Sequence, residues 1–156
     1  MPLELAPEIG IEKDQDSASS APPSQIVVSL GKQILGEYTN CQNLPSSPEE
    51  LEQYMLHAAK LMGATIVSSV FHKLNPTGLS GVVVIAESHF AIHTWPEHHC
   101  ASIDLFSCSK LNEQIGLDYL KSVFKAERLS VIAVPRGIGE LIKEERSKIH
   151  QNMIYS

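Results

Sequence analysis

Long hydrophobic runs, basic clusters and disulfide-forming cysteines are all scarce in this 156-residue chain. No stretch approaches the ~18 consecutive apolar residues of a membrane-spanning helix, so we expect no membrane association. The formal net charge of −6 argues against nucleic-acid binding, because nucleic-acid-binding proteins usually present a basic face. The cysteines number three and have no framework spacing, so we expect free thiols and a cytoplasmic protein.

The composition otherwise suits a single folded domain. Hydrophobic residues make up 43% of the chain and charged residues 19%, which is enough to build one core. Residues 1–24 are polar and rich in Ser, Ala and Pro, and they lack the regions of a secretory signal, so we predict a disordered tail. We expect the domain to span residues 25–137. A charged tail, helical in its simplest form, is expected over residues 138–156.

Two amphipathic helices are predicted. The first begins at Ser47, an N-cap followed by Pro48 and by Glu50 of a capping box, and it ends at Gly63. The second covers residues 111–126, although its central glycine weakens it. Its predicted apolar face consists of Ile115, Tyr119, Leu120, Val123 and Phe124.

Five β-rich stretches surround these helices, and residues 31–46 are predicted to be a loop because they contain Asn, Pro and Ser. The stretches are residues 25–30, 64–74, 79–94, 100–108 and 129–134. The order β-α-β-β-β-α-β, with short turns, favours an antiparallel sheet. We therefore predict an α/β (α+β) two-layer sandwich with both helices on one face of a mainly antiparallel sheet. The uncovered face or an edge of such a sheet is suited to a homodimer.

Most reactive side chains fall between residues 80 and 108, in the sequence SGVVVIAESHFAIHTWPEHHCASIDLFSC. The Glu87–Ser88 bond follows a buried-looking strand, so it is expected at a strand end or sharp turn, where strain is often stored at functional sites. His89 and His93 lie four residues apart, which places both on one face of a strand.

These residues alone leave several interpretations open. His98, His99 and Cys100 are zinc-ligand types, but their spacing matches no zinc signature, and three adjacent side chains cannot easily reach one ion. A nucleophilic pair of Cys108 with His93 is conceivable, although papain-like sites need a larger scaffold. Glu87-Ser88 taken alone is an ordinary surface dipeptide.

A longer pattern is more specific. The motifs Ser80-Gly-Val-Val, Ala86-Glu-Ser-His, Ile92-His-Thr-Trp-Pro-Glu and Asp104-Leu-Phe-Ser-Cys closely resemble the core of the bacterial and archaeal S-adenosylmethionine decarboxylase proenzymes, a pyruvoyl-dependent family. The similarity runs from about residue 25 to about residue 137. A pattern this long and unusual is improbable as a chance match.

The resemblance implies that the chain cuts itself between Glu87 and Ser88. The Ser88 hydroxyl would attack the Glu87 carbonyl carbon, and the resulting ester would undergo β-elimination. Ser88 would then become the pyruvoyl cofactor at the start of the C-terminal fragment, and no metal is expected. By the same resemblance, Ser80 and His93 assist this maturation, and histidine suits proton transfer near neutral pH.

For the mature enzyme, the resemblance implies decarboxylation of S-adenosylmethionine to supply an aminopropyl donor for spermidine synthesis. The substrate amine would form a Schiff base with the pyruvoyl carbonyl, which acts as an electron sink. Cys108 corresponds to the proton donor, and Glu97 to a substrate-binding carboxylate. The enzyme is expected to be a homodimer of processed α and β chains, with its active site near or across the interface.

This sequence departs from the family pattern at several positions around the substrate. Leu74 stands where an aromatic ring is common and could stack on adenine. Residues 98–100, Ser109 and Pro135 also differ from the usual residues. A pyruvoyl decarboxylase of arginine or ornithine therefore stays open as an alternative. A non-catalytic homologue that serves as a binding partner is another, although such a protein has no reason to keep Ser88, His93 and Cys108.

Overall fold

The structure, a computed structural model, describes residues 29–137. In chain order the elements are β1 (Gly31–Cys41), α1 (Pro48–Met62), β2 (Ile66–Lys73), β3 (Leu79–Ile85), β4 (Ser88–Trp95), a 3-10 turn (Pro96–His98), β5 (Cys100–Ser107), α2 (Glu113–Val123) and β6 (Ala126–Arg136). The strands form one sheet in the order β2-β3-β4-β5-β1-β6, and every neighbouring pair is antiparallel. The tails predicted at 1–24 and 138–156 lie outside the described residues.

The two faces of this sheet differ in burial. One face, the helix face, packs against α1 and α2 and carries the core side chains Ile34, Tyr38, Val83, Phe90, Ile92 and Leu105. Burying each such side chain stabilises the fold by about 1.5–3 kcal/mol. The opposite face, called the open face below, has no helix over it among residues 29–137. The predicted two-layer sandwich is confirmed.

Helix α1 begins and ends as its sequence predicts. The Glu50 backbone N–H donates to the Ser47 hydroxyl at 3.2 Å, and Pro48 is the first helical residue. The Glu50 carboxylate accepts from the N–H of Ser46, one residue earlier than a standard capping box. Gly63 ends the helix in the left-handed conformation, with φ of 82°.

Helix α2 is confirmed, but its predicted apolar face is partly wrong. Ile115 is 46% exposed, whereas Gly116 and Leu117 are buried. A Cβ on Gly116 would collide with the Met62 side chain and lie 2.9 Å from the Ala58 carbonyl oxygen of α1. The glycine therefore permits the close approach of the two helices. As a result, the buried face of α2 includes Gly116 and excludes Ile115.

The N-terminal strand was predicted in the wrong place. Strand β1 occupies 31–41, where we predicted a loop, and Leu30 lies before it; 25–28 are outside the described residues. Its central position between β5 and β6 outweighs its poor strand propensity. Glycine is required at Gly36, since a Cβ there would lie 2.8 Å from the Ile103 side chain.

The predicted count of five strands is also too low. The single stretch expected at 79–94 folds as two strands, β3 and β4, joined by the two residues Ala86 and Glu87. The last strand is longer than predicted and covers 126–136.

Candidate active site

The Glu87–Ser88 bond lies at the tight turn between β3 and β4, as predicted. Ile85 and Ser88 are paired across this turn, and the Ala86 N–H donates to the Thr65 carbonyl at 2.8 Å. Ser88 has φ of 145°, a region that residues with a Cβ rarely occupy. Such a conformation costs about 1–3 kcal/mol and is held only by the surrounding contacts. The bond at this turn is thus strained and its serine is only partly buried.

Two donors converge on the carbonyl oxygen of Glu87. The Cys108 backbone N–H donates to it at 3.0 Å, and the Cys108 thiol donates at 3.2 Å. Cys108 reaches this position because it follows β5, whose last residue, Ser107, pairs with Ser88. Donors arranged in this way stabilise negative charge on the oxygen when a nucleophile attacks its carbon.

The Glu87 side chain is anchored by the loop before β2. Its carboxylate accepts from the Thr65 backbone N–H at 3.1 and 3.3 Å to its two oxygens. Desolvation alone would raise the pKa of this carboxyl. Hydrogen bonds from the backbone N–H groups of Thr65 and Glu87 itself, and from the Thr65 hydroxyl, outweigh it and lower the pKa. The turn is therefore fixed on both sides of the bond.

His89 and Asp104 extend the site on the open face, and sequence reasoning missed their roles. Nδ1 of His89 lies 3.3 Å from the Ser88 hydroxyl oxygen, and its Nε2 lies 3.5 Å from Asp104 Oδ1. The alternation of β5 predicts that Asp104 lies on the same face as Phe106. Its proximity to His89 follows only from the β4–β5 register, in which His89 pairs with Phe106. We call Glu87, Ser88, His89, Asp104 and Cys108 the cleavage cluster.

A second group lies at the other end of β3 and β4. Ser80 and His93 are register partners, and the Ser80 hydroxyl lies 2.9 Å from His93 Nδ1. The Glu97 carboxylate accepts from the Thr77 hydroxyl at 2.9 Å. Its own backbone N–H, with the Thr77 hydroxyl next in effect, lowers the pKa of Glu97. Leu74 is 47% exposed and lies at the same end, where its backbone N–H donates to the Gly78 carbonyl. We call Leu74, Thr77, Ser80, His93 and Glu97 the distal cluster.

The structure does not bring the two clusters together. His93 follows Ser88 by five residues of one strand, a separation of about 17 Å at the usual rise per residue. A histidine side chain is too short to cross that gap. One chain therefore holds Ser88 and Cys108 at one end of β4, and Ser80 and His93 at the other. The alternative pair of Cys108 with His93 is not formed within the chain.

His98, His99 and Cys100, the zinc-ligand types weighed from the sequence, belong to no group of potential metal ligands in the described part of the chain. Within residues 29–137, no group of three or more His, Cys, Asp or Glu side chains is placed to hold a metal ion. Burial, aided by the nearby Cys100, raises the pKa of the Cys41 thiol to about 11. Neither α1 nor α2 is long and apolar enough to cross a membrane, and the same range contains no other α-helix.

Comparison with known proteins assigns the chain to a family. The sequence model described as S-adenosylmethionine decarboxylase matches residues 32–137. An S-adenosylmethionine decarboxylase proenzyme of Thermosipho africanus is 45% identical over 111 residues, covering 70% of this chain and 85% of the relative. The corresponding proenzyme of Caldanaerobacter subterraneus is 42% identical over 113 residues, covering 71% and 91%.

A solved structure agrees with this assignment. The adenosylmethionine decarboxylase of Aquifex aeolicus superposes with a TM-score of 0.61 at 30% identity, covering 72% of this chain and 94% of that one. The relatives by sequence are named as proenzymes, and the fold agrees with the same family. The chain belongs to the S-adenosylmethionine decarboxylase family.

Proposed function

We propose that this protein decarboxylates S-adenosylmethionine after cutting its own chain between Glu87 and Ser88. The observation that carries the proposal is the pair of Cys108 donors on the Glu87 carbonyl oxygen, directly beside the strained Ser88. An ordinary surface turn needs neither feature. Together they prepare one peptide bond for attack by its own serine hydroxyl.

The maturation begins when the Ser88 hydroxyl oxygen attacks the carbonyl carbon of Glu87. The carbonyl oxygen becomes negative and is stabilised by the backbone N–H and thiol of Cys108. Collapse breaks the C–N bond and converts the amide to an ester. A base then removes the Ser88 Cα proton, and the main-chain carboxylate of Glu87 leaves, which separates fragment 1–87 and converts position 88 to dehydroalanine. Tautomerisation to an imine and hydrolysis by water then release ammonia, and the fragment 88–156 begins with a pyruvoyl group.

The residues around Ser88 fit the pyruvoyl group that this maturation would leave there. When present, that group supplies an electron sink for the loss of carbon dioxide. The thiol of Cys108 is placed to return a proton to the substrate carbon, because it already contacts the backbone next to Ser88. Glu97, oriented by Thr77, offers a carboxylate to the hydroxyls or positive group of the substrate.

The separation of the clusters supports an active site shared between two chains. The proposed homodimer pairs the open faces, so that the partner's His93 and the partner's Ser80 approach the Ser88 of this chain. Apolar side chains on the open face agree with this, since Leu35, Val84, Trp95 and Ile132 are each about 40% exposed. Their burial in a twofold dimer would remove this surface from water.

Mixing two inactive variants tests the shared site. Ser88→Ala cannot be cut, and His93→Ala lacks the base for elimination. In a mixed dimer, the His93→Ala chain keeps its own Ser88 and faces an intact histidine from the Ser88→Ala chain. We expect co-expression to restore cutting of the His93→Ala chain. The shared site would be contradicted if the His93→Ala chain were cut without a Ser88→Ala partner. It would also be contradicted if a proven heterodimer showed no cutting.

Two further proposals concern the limits of the domain and the location of the protein. We propose a domain spanning 25–137 with tails at 1–24 and 138–156, since the family match begins and ends close to these limits. We further propose a cytoplasmic location, which the free thiols of Cys41, Cys100 and Cys108 support.

Intact mass under denaturing conditions tests the enzyme itself. We expect two fragments divided at Glu87–Ser88, the C-terminal one lighter by one ammonia than a serine-started peptide. Carbon dioxide release from S-adenosylmethionine, arginine and ornithine then identifies the substrate, and preference for either amino acid would favour the alternative that Leu74 leaves open. A chain that stays uncut on incubation contradicts the enzyme and favours a non-catalytic binding partner.

A further inference from the structure

A line of polar contacts on the open face leads from β6 to the hydroxyl of Ser88. Arg136 Nη1 donates to Gln33 Oε1 at 2.6 Å, and Gln33 Nε2 donates to Asp104 Oδ1. The same Asp104 oxygen lies 3.5 Å from His89 Nε2, and His89 Nδ1 lies 3.3 Å from the Ser88 hydroxyl oxygen. Ser88, His89 and Asp104 thus follow one another as nucleophile, imidazole and carboxylate.

This arrangement favours one tautomer of the neutral imidazole. A carboxylate only accepts hydrogen bonds, so Asp104 favours a proton on His89 Nε2. Nδ1 is then the unprotonated nitrogen and faces the Ser88 hydroxyl as an acceptor. The ring centroids of His89 and Phe106 lie 6.1 Å apart, and Arg136 Cζ lies 4.8 Å from the centroid of the Phe106 ring. The imidazole therefore has an aromatic neighbour on the open face.

We propose that His89 is the base that starts self-cleavage, and that Asp104 is a positioning residue that acts through it. This inference rests on the proposed function and names a catalytic residue for its first step. His89 Nδ1 takes the proton as the Ser88 oxygen bonds to the Glu87 carbon, and the carbonyl π electrons move to the oxygen held by Cys108. When the C–N bond breaks, the same proton passes to the departing Ser88 nitrogen, so the step needs no external reactant.

Self-cleavage needs two proton transfers, one in ester formation and one in elimination. One histidine of the same chain cannot perform both. His93 lies about 17 Å along β4 from Ser88, so it cannot accept the hydroxyl proton of its own chain. His89 touches that hydroxyl directly. Ester formation is therefore assigned to His89, and the later elimination to the partner's His93.

The test uses His89→Asn and His93→Ala in the full chain, followed by denaturing mass. Asparagine can still accept a hydrogen bond from Ser88, but it cannot take up a proton. We expect cutting to slow about 100-fold or more, the usual contribution of general-base catalysis. Hydroxylamine, which cleaves esters, should cut His89→Asn far more slowly than His93→Ala, because ester formation is slow in the former. It should cut His93→Ala, where the ester forms but cannot eliminate. His57→Asn, exposed on α1, is the matched control and should be cut normally.

Several outcomes would overturn the assignment while leaving the proposed function intact. His89→Asn that is cut at the rate of the unchanged chain shows that the imidazole only packs. If hydroxylamine cuts His89→Asn as fast as it cuts His93→Ala, the histidine acts after ester formation. If His89→Asn does not fold, Asp104→Asn decides: it should slow cutting about tenfold or more, as loss of a positioning partner does, and an unchanged rate refutes the assignment. Failure of the unchanged chain to cut refutes the proposed function itself.

Discussion

The two ends of strand β4 are built differently. At its start, Ser88 is fixed by a two-residue turn, by Cys108 and by His89, so the groups proposed to convert its peptide bond to an ester all lie within one chain. At its end, within residues 29–137, the side chains of Ser80, His93 and Glu97 form hydrogen bonds only among themselves and with Thr77. The two ends therefore differ in the groups that surround them, and this difference is the basis of the proposed dimer.

The largest expected effect removes the nucleophile. Ser88→Ala should remain a single chain indefinitely and should release no carbon dioxide, because neither the ester nor the cofactor can form. Denaturing mass and the decarboxylation assay measure both losses. Ser109→Ala is the matched control for cutting, since only the backbone of Ser109 bonds to Ser107 and its hydroxyl forms no hydrogen bond within residues 29–137. Cutting of the Ser88→Ala chain at the same bond would show that Ser88 is not the nucleophile.

A smaller effect separates the two donors of Cys108. Cys108→Ala keeps the backbone N–H on the Glu87 carbonyl but loses the thiol, so self-cutting should continue more slowly. Decarboxylation by the cut chain should fall about 100-fold or more, as expected for loss of a proton donor. Cutting rate and turnover per cut chain are measured separately. A loss in only one of the two quantities would mean that the thiol serves that step alone.

At the distal end, Glu97→Gln should affect binding rather than cutting. The neutral amide keeps the shape but loses the charge, so KM should rise about tenfold, the scale of one charge-assisted hydrogen bond. Self-cutting should proceed close to the normal rate, because Glu97 bonds to Thr77 and not to the cleavage cluster. Thr77→Val, which removes the orienting hydroxyl, should raise KM less. An uncut Glu97→Gln chain would break the division between the two ends.

The smallest expected effect is on the pH dependence of stability. The pKa of Glu87 is lowered from its ordinary 4.5 in the folded chain, so its contribution is present above that pH and disappears as the pH falls through the folded value. In an uncut Ser88→Ala background, Glu87→Gln should therefore lower Tm slightly near neutral pH. The difference should vanish in acid, as thermal unfolding at several pH values would reveal. A difference that persists in acid would mean that the charge is not its source.

The sequence predicted the helices and the turn at Glu87–Ser88 better than it predicted the sheet. Ser47, Glu50 and Gly63 act within one or two turns of chain, so capping rules were sufficient. The course of 31–41 depends on flanking strands that come more than sixty residues later, which local propensity does not contain.

The same distinction, between features set by nearby residues and features set by distant ones, holds in the site. The Glu87–Ser88 turn and the residues Ser80, His93, Glu97 and Cys108 followed from motifs, and their roles stay predictions. The contact of His89 with Asp104 required the register between β4 and β5, and the Thr65 anchor of Glu87 required the placement of a loop. A single sequence gives no measure of either distance.

The strand order has a consequence for what cutting does to the molecule. Strands β1 to β3 belong to the fragment before Ser88, and β4 to β6 to the fragment after it, yet β1 lies between β5 and β6. The two pieces are therefore interleaved along three ladders: β3 with β4, β5 with β1, and β1 with β6. Breaking one peptide bond at the hairpin nicks the protein without freeing either half. The mature enzyme should migrate as one body in any native separation and come apart only when the whole sheet unfolds.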